Sequence, residues 1–444
     1  MFKTFINAFK IKDIRKKMLL TLLLIVIYRL GCFIPIPGVN VDMVAQAAQS
    51  YDILGFLDLL TGSSFSQVTL FAMGISPYIT ASIILQLLTI AIPALERMSK
   101  EEDGRQKIER ITRYTGIGLA LVQSIGIFAG LEAGMAAGQS IFANSNWPTW
   151  VSYGVIGICS TAGTAFLMWL GERITENGIG NGISMLIFAS IVSRVPSTII
   201  GWFSQLFAGT FGIRPVGEAA APVPNVAVST LAFVGLLVLV VGMITLVVYV
   251  DNAQRRIPVQ YAKRVVGRKL YGGQSTYLPI KANANGVLPL IFAMTLIQFP
   301  GMIAQFWPNG GFYAFYTKYL GAGSVIYYII YALLIVGFGY FYSAITFNPI
   351  EMSKNLQQNG GFIPGLRPGR PTSEYLAKIS GRLTLFGSLF LAVIAILPTI
   401  ALHYLGQTST FGATSILIMV SVALETTDQL ESYMLMRHYK GFLN

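Results

Sequence analysis

Apolar residues gather in this chain into runs of about 20, the length a helix needs to cross a hydrocarbon core. Ten such runs occur, roughly 18 to 37, 75 to 94, 114 to 133, 151 to 171, 182 to 205, 229 to 250, 285 to 305, 324 to 346, 383 to 403 and 413 to 434. The pattern predicts an all-α polytopic membrane protein. Arg194 and Pro196 interrupt the fifth run. Arg194, like Arg29 in the first, is placed near the outer end of its span, where a long side chain snorkels to water.

The regular spacing breaks between the first two spans. Gly55 to Gln67 is apolar but too short to cross, carries Asp58, and contains a Gly62-Ser63-Ser64 break. After a second break at Gly74, Ile79 to Ala94 completes a span, with Ser76 and Pro77 as expected N-cap and first-turn residues. A half-helix is therefore expected to enter without crossing and to feed a full helix. Broken backbone at membrane depth is tolerated only where protein or a water-filled cavity surrounds it, so this stretch points to a cavity that water or a substrate enters.

Composition agrees with the pattern: of 444 residues 54% are hydrophobic and 11% charged, against about 25% charged in soluble domains. Cys32 and Cys159 sit alone in separate apolar runs, which gives no disulfide framework and no metal-ligand spacing. The basic cluster from Lys3 to Lys17 ahead of an apolar run looks like a secretory signal, but no small-residue cleavage site follows, so it is expected to remain as the first span.

Charge then sets orientation. The loop between spans two and three carries Arg97, Lys100, Arg105, Lys107, Arg110 and Arg113, and the loop between six and seven carries seven more basic residues, whereas the alternate loops are nearly free of them. Both basic loops, and with them both termini, are expected in the cytoplasm. The net charge of +12 is thereby a property of one membrane face and needs no nucleic-acid reading of the whole chain. Residues 251–284 mix β-branched, aromatic and basic residues around Gly267 and Gly272-Gly273, which predicts a protruding hairpin. Residues 348–379, rich in Gly and Pro, form a second cytoplasmic projection.

Candidate chemistry is sparse. The two histidines, His403 and His438, belong to no HExxH or nucleophile pair. The glycine-rich Gly171 to Gly182 stretch lacks the lysine and hydroxyl of a phosphate loop and joins two spans. A small-solute transporter would place ionisable groups near the midplane. Here Glu425 and Asp428 lie towards the cytoplasmic end of span ten, and the interior polar residues are uncharged: Thr80, Ser82, Gln86, Gln123, Ser124 and Gln298. Such residues serve either as interhelical hydrogen bonds or as a polar seam that can part. Ile75 with Ile79, and Ile187 with Ile191, each share one helical face. Spacing alone leaves them as packing, lipid-facing or constriction residues. The basic hairpin is similarly open between positive-inside bias and docking of an RNA or an acidic protein.

Five longer motifs carry a resemblance: FIPIPG at 33–38, FAMGISPYITASIILQLL at 71–88, FLMWLGERITENGIGNGISMLIFA at 166–189, QRRIPVQYAKR at 254–264 and GFIPGLRPGRPT at 361–372. In order and over nearly the whole chain, they resemble bacterial SecY, a family of protein-conducting channels. The resemblance implies ten helices in two pseudo-symmetric halves of five, 18–208 and 229–434, around an hourglass pore. An outer loop at 209–228 joins the halves, and residues 1–17 and 435–444 are cytoplasmic tails. It implies a plug at 55–67, with Phe56, Leu57, Leu60, Gly62 and Ser63. It also implies a pore ring of Ile75, Ile79, Ile187, Ile191, Ile291 and Ile418, and a gate opening sideways to lipid, lined by Gln86, Gln123 and Gln298. Arg255, Arg256, Arg264 and Arg367 would dock the ribosome and the SecA motor. SecE-like and SecG-like small membrane subunits are the implied partners, signal peptides and nascent polypeptides the cargo, and the bacterial plasma membrane the location. No cofactor or catalysis is implied. The stretch RPVGEAAAPVPN at 214–225 is longer than the family pattern leads one to expect.

Overall fold

The computed structural model describes residues 6, 8–50, 58, 61–133, 135, 140–142, 147–209, 211, 226–261, 264–266, 269–271, 275–283, 285–304, 310–321, 324–404 and 413–440. The first half of the chain contains α1 (Lys12–Gly31), α2 (Val41–Ser50), α3 (Ser76–Ala91), α4 (Pro93–Lys100), α5 (Glu102–Ala133), α6 (Thr149–Asn177) and α7 (Gly182–Phe207). Next come α8 (Val226–Asp251), then β1 (Gln254–Tyr261), β2 (Arg264–Val266), β3 (Lys269–Tyr271) and β4 (Ser275–Lys281). The remainder is α9 (Leu288–Ala304), α10 (Gly311–Tyr319), α11 (Val325–Thr346), α12 (Pro349–Gln358), β5 (Gly361–Phe362), α13 (Arg370–Tyr404) and α14 (Ala413–Lys440).

Among the described residues, six helices are long and apolar enough to cross a membrane: α5, α6, α7, α8, α11 with its continuation, and α13. A seventh span is available if α3 and α4 count as one, although they are bent by 107° where Ile92 turns extended ahead of Pro93. The proline ring disfavours helix for the residue before it, which explains the break. The ten runs therefore do not all pass on length and composition. α1 begins among Lys12, Asp13, Arg15, Lys16 and Lys17, and α9 is only 17 residues long. The first span also ends earlier than its apolar run. Pro35 instead bridges Thr69, with Ile36 N donating to Val68 O at 2.8 Å and Leu70 N to Ile34 O at 2.9 Å.

Burial along α1 shows how such helices sit. Ile14, Met18, Thr21, Leu24, Tyr28 and Gly31 are buried at helical spacing, while Leu19, Leu22, Leu23 and Leu30 are exposed. Exposed leucines at span depth are what lipid contact requires. The fifth span corrects the sequence reading, since α7 continues unbroken through Pro196. Beyond the proline, the Ser197 and Thr198 hydroxyls both donate to the Arg194 carbonyl. Its start is capped by Asn181, whose Oδ1 accepts from Ile183 N at 3.1 Å.

The chain's two parts touch where α14 and α8 pack on α7 and where α9 packs on α3 and α5. The glycine-rich turn before α7 joins them on one side. Ile179 N donates to Thr21 Oγ1, Gly180 N to Gln429 Oε1 and Gly182 N to Thr175 Oγ1. Those amides are spent on side chains, which fits an interhelical loop rather than a phosphate cradle.

The all-α expectation is modified by a small sheet. β1 pairs antiparallel with β4, as the hairpin pattern predicts, and β2 pairs with β3 further out. Strand β5, from the second projection, adds to the other edge of β1 through Gln260 opposite Phe362 and Tyr261 opposite Gly361. Ile257, Val259, Ile280, Ile363 and Leu376 form a core beneath it. Two loops expected as separate projections are thus one platform.

A candidate pore constriction, plug and lateral seam

Six isoleucines from distant parts of the chain fall in one buried apolar cluster. Ile75 is the residue before α3, Ile79 lies in its first turn, Ile187 and Ile191 are on α7, Ile291 is on α9 and Ile418 is on α14. All six are buried, with exposures of 0 to 8%, and belong to one continuous apolar cluster. Three of them, Ile75, Ile79 and Ile187, line a void together with Tyr28, Gly74 and Leu167 among others, with a volume of about 10 Å³. That is room for one water at most. An ion entering this point would lose its hydration and meet branched alkyl groups, which offer no ligand in exchange.

Outside this cluster lies the broken stretch. Phe56, Leu57 and Leu60 of the expected plug lie outside the described residues, but Gly62 and Ser63 do not. Ser76 is the first helical residue of α3 and Ile75 its N-cap, so the expected capping role of Ser76 does not hold. From Gly62 the chain runs in turns to Ile75 rather than as a half-helix continuing to Gln67. Gly62 (φ +64°), Ser63 (φ +71°), Val68 (φ +47°) and Gly74 (φ +56°) take left-handed backbone conformations. At Gly62 a Cβ would lie 2.8 Å from Arg29 Nη1 and 3.1 Å from the Ser190 backbone, so glycine is required twice over.

Asp58 is the polar anchor of this stretch. Its Oδ2 accepts from Arg194 Nη2 at 3.0 Å, and its Oδ1 from Ser66 N at 2.8 Å. The two side chains are 8% and 18% exposed, so this is a buried ion pair and Arg194 does not snorkel. Arg29 does not snorkel fully either, for its Nη1 is buried without a hydrogen-bond partner and its guanidinium lies 6.0 Å from the Tyr28 and Phe33 ring centroids. Tyr28 donates to the Thr61 carbonyl at 3.4 Å and shares a short hydrogen bond with the Ser190 hydroxyl. Tyr28 and Ser190 were not singled out by sequence. One signal was available for Asp58 and Arg194, because two opposite charges unaccounted for in apolar runs are expected to find each other.

The three glutamines fall along the contact of α3 and α5 with α9 and α11. Gln86 Oε1 accepts from Tyr342 Oη of α11 at 3.2 Å, while its Nε2 donates to Ser82 Oγ on its own helix. Gln123 and Gln298 are 7% and 6% exposed, and Gln123 Nε2 and Gln298 Oε1 are buried without partners. Each unpaired group disfavours this packing by about 1–3 kcal/mol. Thr80 and Ser124 bond only their own helix backbones, at Ser76 O and Leu121 O. Among these five side chains, the one hydrogen bond that crosses between helices is Gln86 with Tyr342.

In the sheet, Arg255 and Arg256 are exposed on β1, opposite Ile280 and Pro279 of β4. Arg264 stands on β2 opposite Tyr271. Arg367 is exposed just after β5, its carbonyl held by Thr372 Oγ1 at 2.8 Å. Because β5 is stitched to β1, Arg255, Arg256 and Arg367 share one platform, and Arg264 lies on the separate β2–β3 hairpin that extends from it.

Comparison with known proteins agrees in kind with this arrangement. The SecY family model matches residues 69–427. The protein translocase subunit SecY of Streptomyces coelicolor is 46% identical over 454 residues and covers 100% of both chains. A solved structure described as showing that the SecY plug domain stabilises the closed state of the translocation channel superimposes with a TM-score of 0.63. It is 21% identical and covers 94% of this chain and 92% of that one. Sec61 from a canine ribosome-channel complex gives a TM-score of 0.61 at 18% identity, with the same coverage. The structural likenesses establish a shared fold, and the full-length identity and family match establish descent: this chain belongs to the SecY family.

Proposed function

We propose that this multi-pass membrane protein is the pore-forming subunit of a protein translocase, a passive channel gated by signal sequences and without catalysis of its own. Carrying an unfolded chain through lipid would leave its backbone groups unsatisfied, so an aqueous conduit is required. The same conduit must remain tight to ions. The observation that supports it is one buried apolar cluster shared by six isoleucines from four helices, of which Ile75, Ile79 and Ile187 line a void with room for one water at most. Branched alkyl side chains resist ions by dewetting and can close around an extended peptide.

In this reading the chain spans the bacterial plasma membrane ten times, in halves 18–208 and 229–434, with both termini cytoplasmic. The segment 55–67 is a plug resting on the isoleucine ring, held through Asp58. The α3/α5 contact with α9/α11, at Gln86, Gln123 and Gln298, is the lateral gate. An apolar segment leaving water for lipid through it gains about 25 cal/mol per Å² of apolar surface, which separates insertion from secretion. The platform of Arg255, Arg256, Arg264 and Arg367 docks the ribosome through RNA phosphates, or the SecA ATPase that supplies energy. The exposure of Arg255, Arg256 and Arg367 and the Sec61 relative in a ribosome-channel complex support this assignment. SecE-like and SecG-like subunits complete the assembly against the exposed apolar faces.

The test is ion leak from vesicles containing wild type or Ile79→Gly with Ile191→Gly, each with and without signal peptide. A tight wild type that opens with signal peptide and a leaky double variant are expected. Equal leak without a signal response would make these isoleucines ordinary packing and return the small-solute transporter reading, in which Glu425 or Asp428 would affect coupling.

A further inference from the structure

The root of the arginine platform is fastened to the helix that carries Ile418. Asp251 is the last residue of α8, and its two carboxylate oxygens face different elements. Oδ1 accepts from Asn283 Nδ2 at 2.9 Å, two residues beyond β4. Oδ2 accepts from Ser421 Oγ at 2.8 Å, on α14. Ser421 lies three residues after Ile418, so the two share a side of the helix. A second strap runs parallel, from Lys281 Nζ at the end of β4 to Asp428 Oδ2 at 2.7 Å. Asp428 is seven residues after Ser421, two turns along the same side. Between the straps, Ala282 N donates to Ala253 O at 2.8 Å, extending the β1–β4 pairing down to the end of α8.

These two straps differ in character. Lys281 and Asp428 are about half exposed, where an ion pair contributes little. Asn283 and Ser421 are buried, with exposures of 8% and 7%. α8 and α14 already pack together and both contribute to the central apolar cluster, with Val247 from one and Ile418 and Val422 from the other, so a carboxylate is not needed to hold them together. Asp251 itself is half-buried, and a carboxylate with each oxygen held by a different oriented donor fixes the register of the elements it joins. Its two partners are the platform root and the ring helix.

We infer that Asp251 is a positioning residue that transmits movement of the arginine platform to α14, and so to Ile418 in the constriction. The inference rests on the ring and docking readings above. When a partner engages Arg255 and Arg256, the β1–β4 ladder moves as a unit, Asn283 carries Asp251 with it, and Asp251 draws on Ser421 one turn from Ile418. Signal peptide acting at the lateral seam does not use this route.

Three quantities test it in reconstituted full-length protein: ribosome affinity, ion conductance induced by signal peptide alone, and conductance induced by ribosomes bearing a signal-containing nascent chain. For Asp251→Ala and Ser421→Ala, the first two should stay within about twofold of wild type while the third falls at least tenfold. Ser421→Thr, which keeps the hydroxyl, should restore the third. If ribosome-induced conductance stays within twofold in the alanine variants, the inference is wrong. Equal loss of both conductances also overturns it, because that marks general disorder of α14. Should Asp251→Ala misfold, Ser421→Ala, which removes one hydroxyl, decides alone. Ribosomes that bind an Arg255→Glu, Arg256→Glu protein as tightly as wild type would instead remove the docking reading beneath it.

Discussion

Removing the partner of Asp58 should unseat the plug, and the size of the effect follows from burial. In Arg194→Met the carboxylate keeps its bond from Ser66 N but loses its countercharge at a side-chain exposure of only 8%. Breaking a buried pair from one side destabilises by about 3–5 kcal/mol. Asp58 retains one backbone donor and Arg194 is 18% exposed, so the lower figure, about 3 kcal/mol, applies. At 25 °C that shifts the ratio of unseated to seated plug by roughly 150-fold. The assay is ion leak from vesicles without signal peptide, with thermal melting as a control for the bundle. Asp58→Leu combined with Arg194→Met leaves no buried charge behind, so its leak should return towards wild type, a non-additive result that only direct coupling produces. The reasoning fails if Arg194→Met leaks within about threefold of wild type, or if the two substitutions add.

Other substitutions probe other parts. Gly62→Ala places a Cβ at a left-handed position against Arg29 and Ser190, and should raise resting leak through at least about 1–2 kcal/mol of strain; unchanged leak would mean the turn relaxes freely. Tyr342→Phe deletes the hydrogen bond from α11 to Gln86. It should ease gate opening by about 1 kcal/mol, read as a lower hydrophobicity threshold for inserting test segments, and an unmoved threshold would rule the bond out as a clasp. Ile257→Ala empties the platform core, where Ile257 is 2% exposed, at about 2–5 kcal/mol. Trypsin should then cut faster at Arg255 and Arg256 while the span helices stay protected, and uncut loops would contradict a separate platform core.

Much of the architecture is legible in the sequence because lipid imposes a simple rule: long apolar runs become helices, and basic loops stay on one side. That rule finds α8, α11 and α13, but it misjudges α1, whose Pro35 and Pro37 end the helix before the apolar run ends. The hairpin of β1 and β4 was readable from β-branched residues and glycines. Its union with β5 was not, because a two-residue strand has no periodicity and its pairing joins positions about 100 residues apart. At the site, Ile75 with Ile79 and Ile187 with Ile191 were visible as pairs. Only resemblance joined Ile291 and Ile418 to them, since nothing in helical spacing relates one helix to another. Tyr342, the partner of Gln86, lies 256 positions away and was invisible for the same reason.

In the proposed channel, the C-terminal end of the 55–67 segment is fixed in a core of its own, which limits how far the part ahead of it can travel. Phe65, Val68, Ala72 and Met73 are buried in a separate core with Ile36, Ile127, Phe128 and Ile141. Thr69 bridges Pro35, and Val39 bridges Phe142. This makes Phe65 a mooring and the chain ahead of it a leash. Asp58 is seven residues from that mooring; fully drawn out at about 3.3 Å per residue, it reaches roughly 23 Å. That is less than the roughly 30 Å of a hydrocarbon core. If 55–67 is displaced as proposed, Asp58 therefore stays within that reach of Phe65, and resealing would be a short tethered return rather than a search.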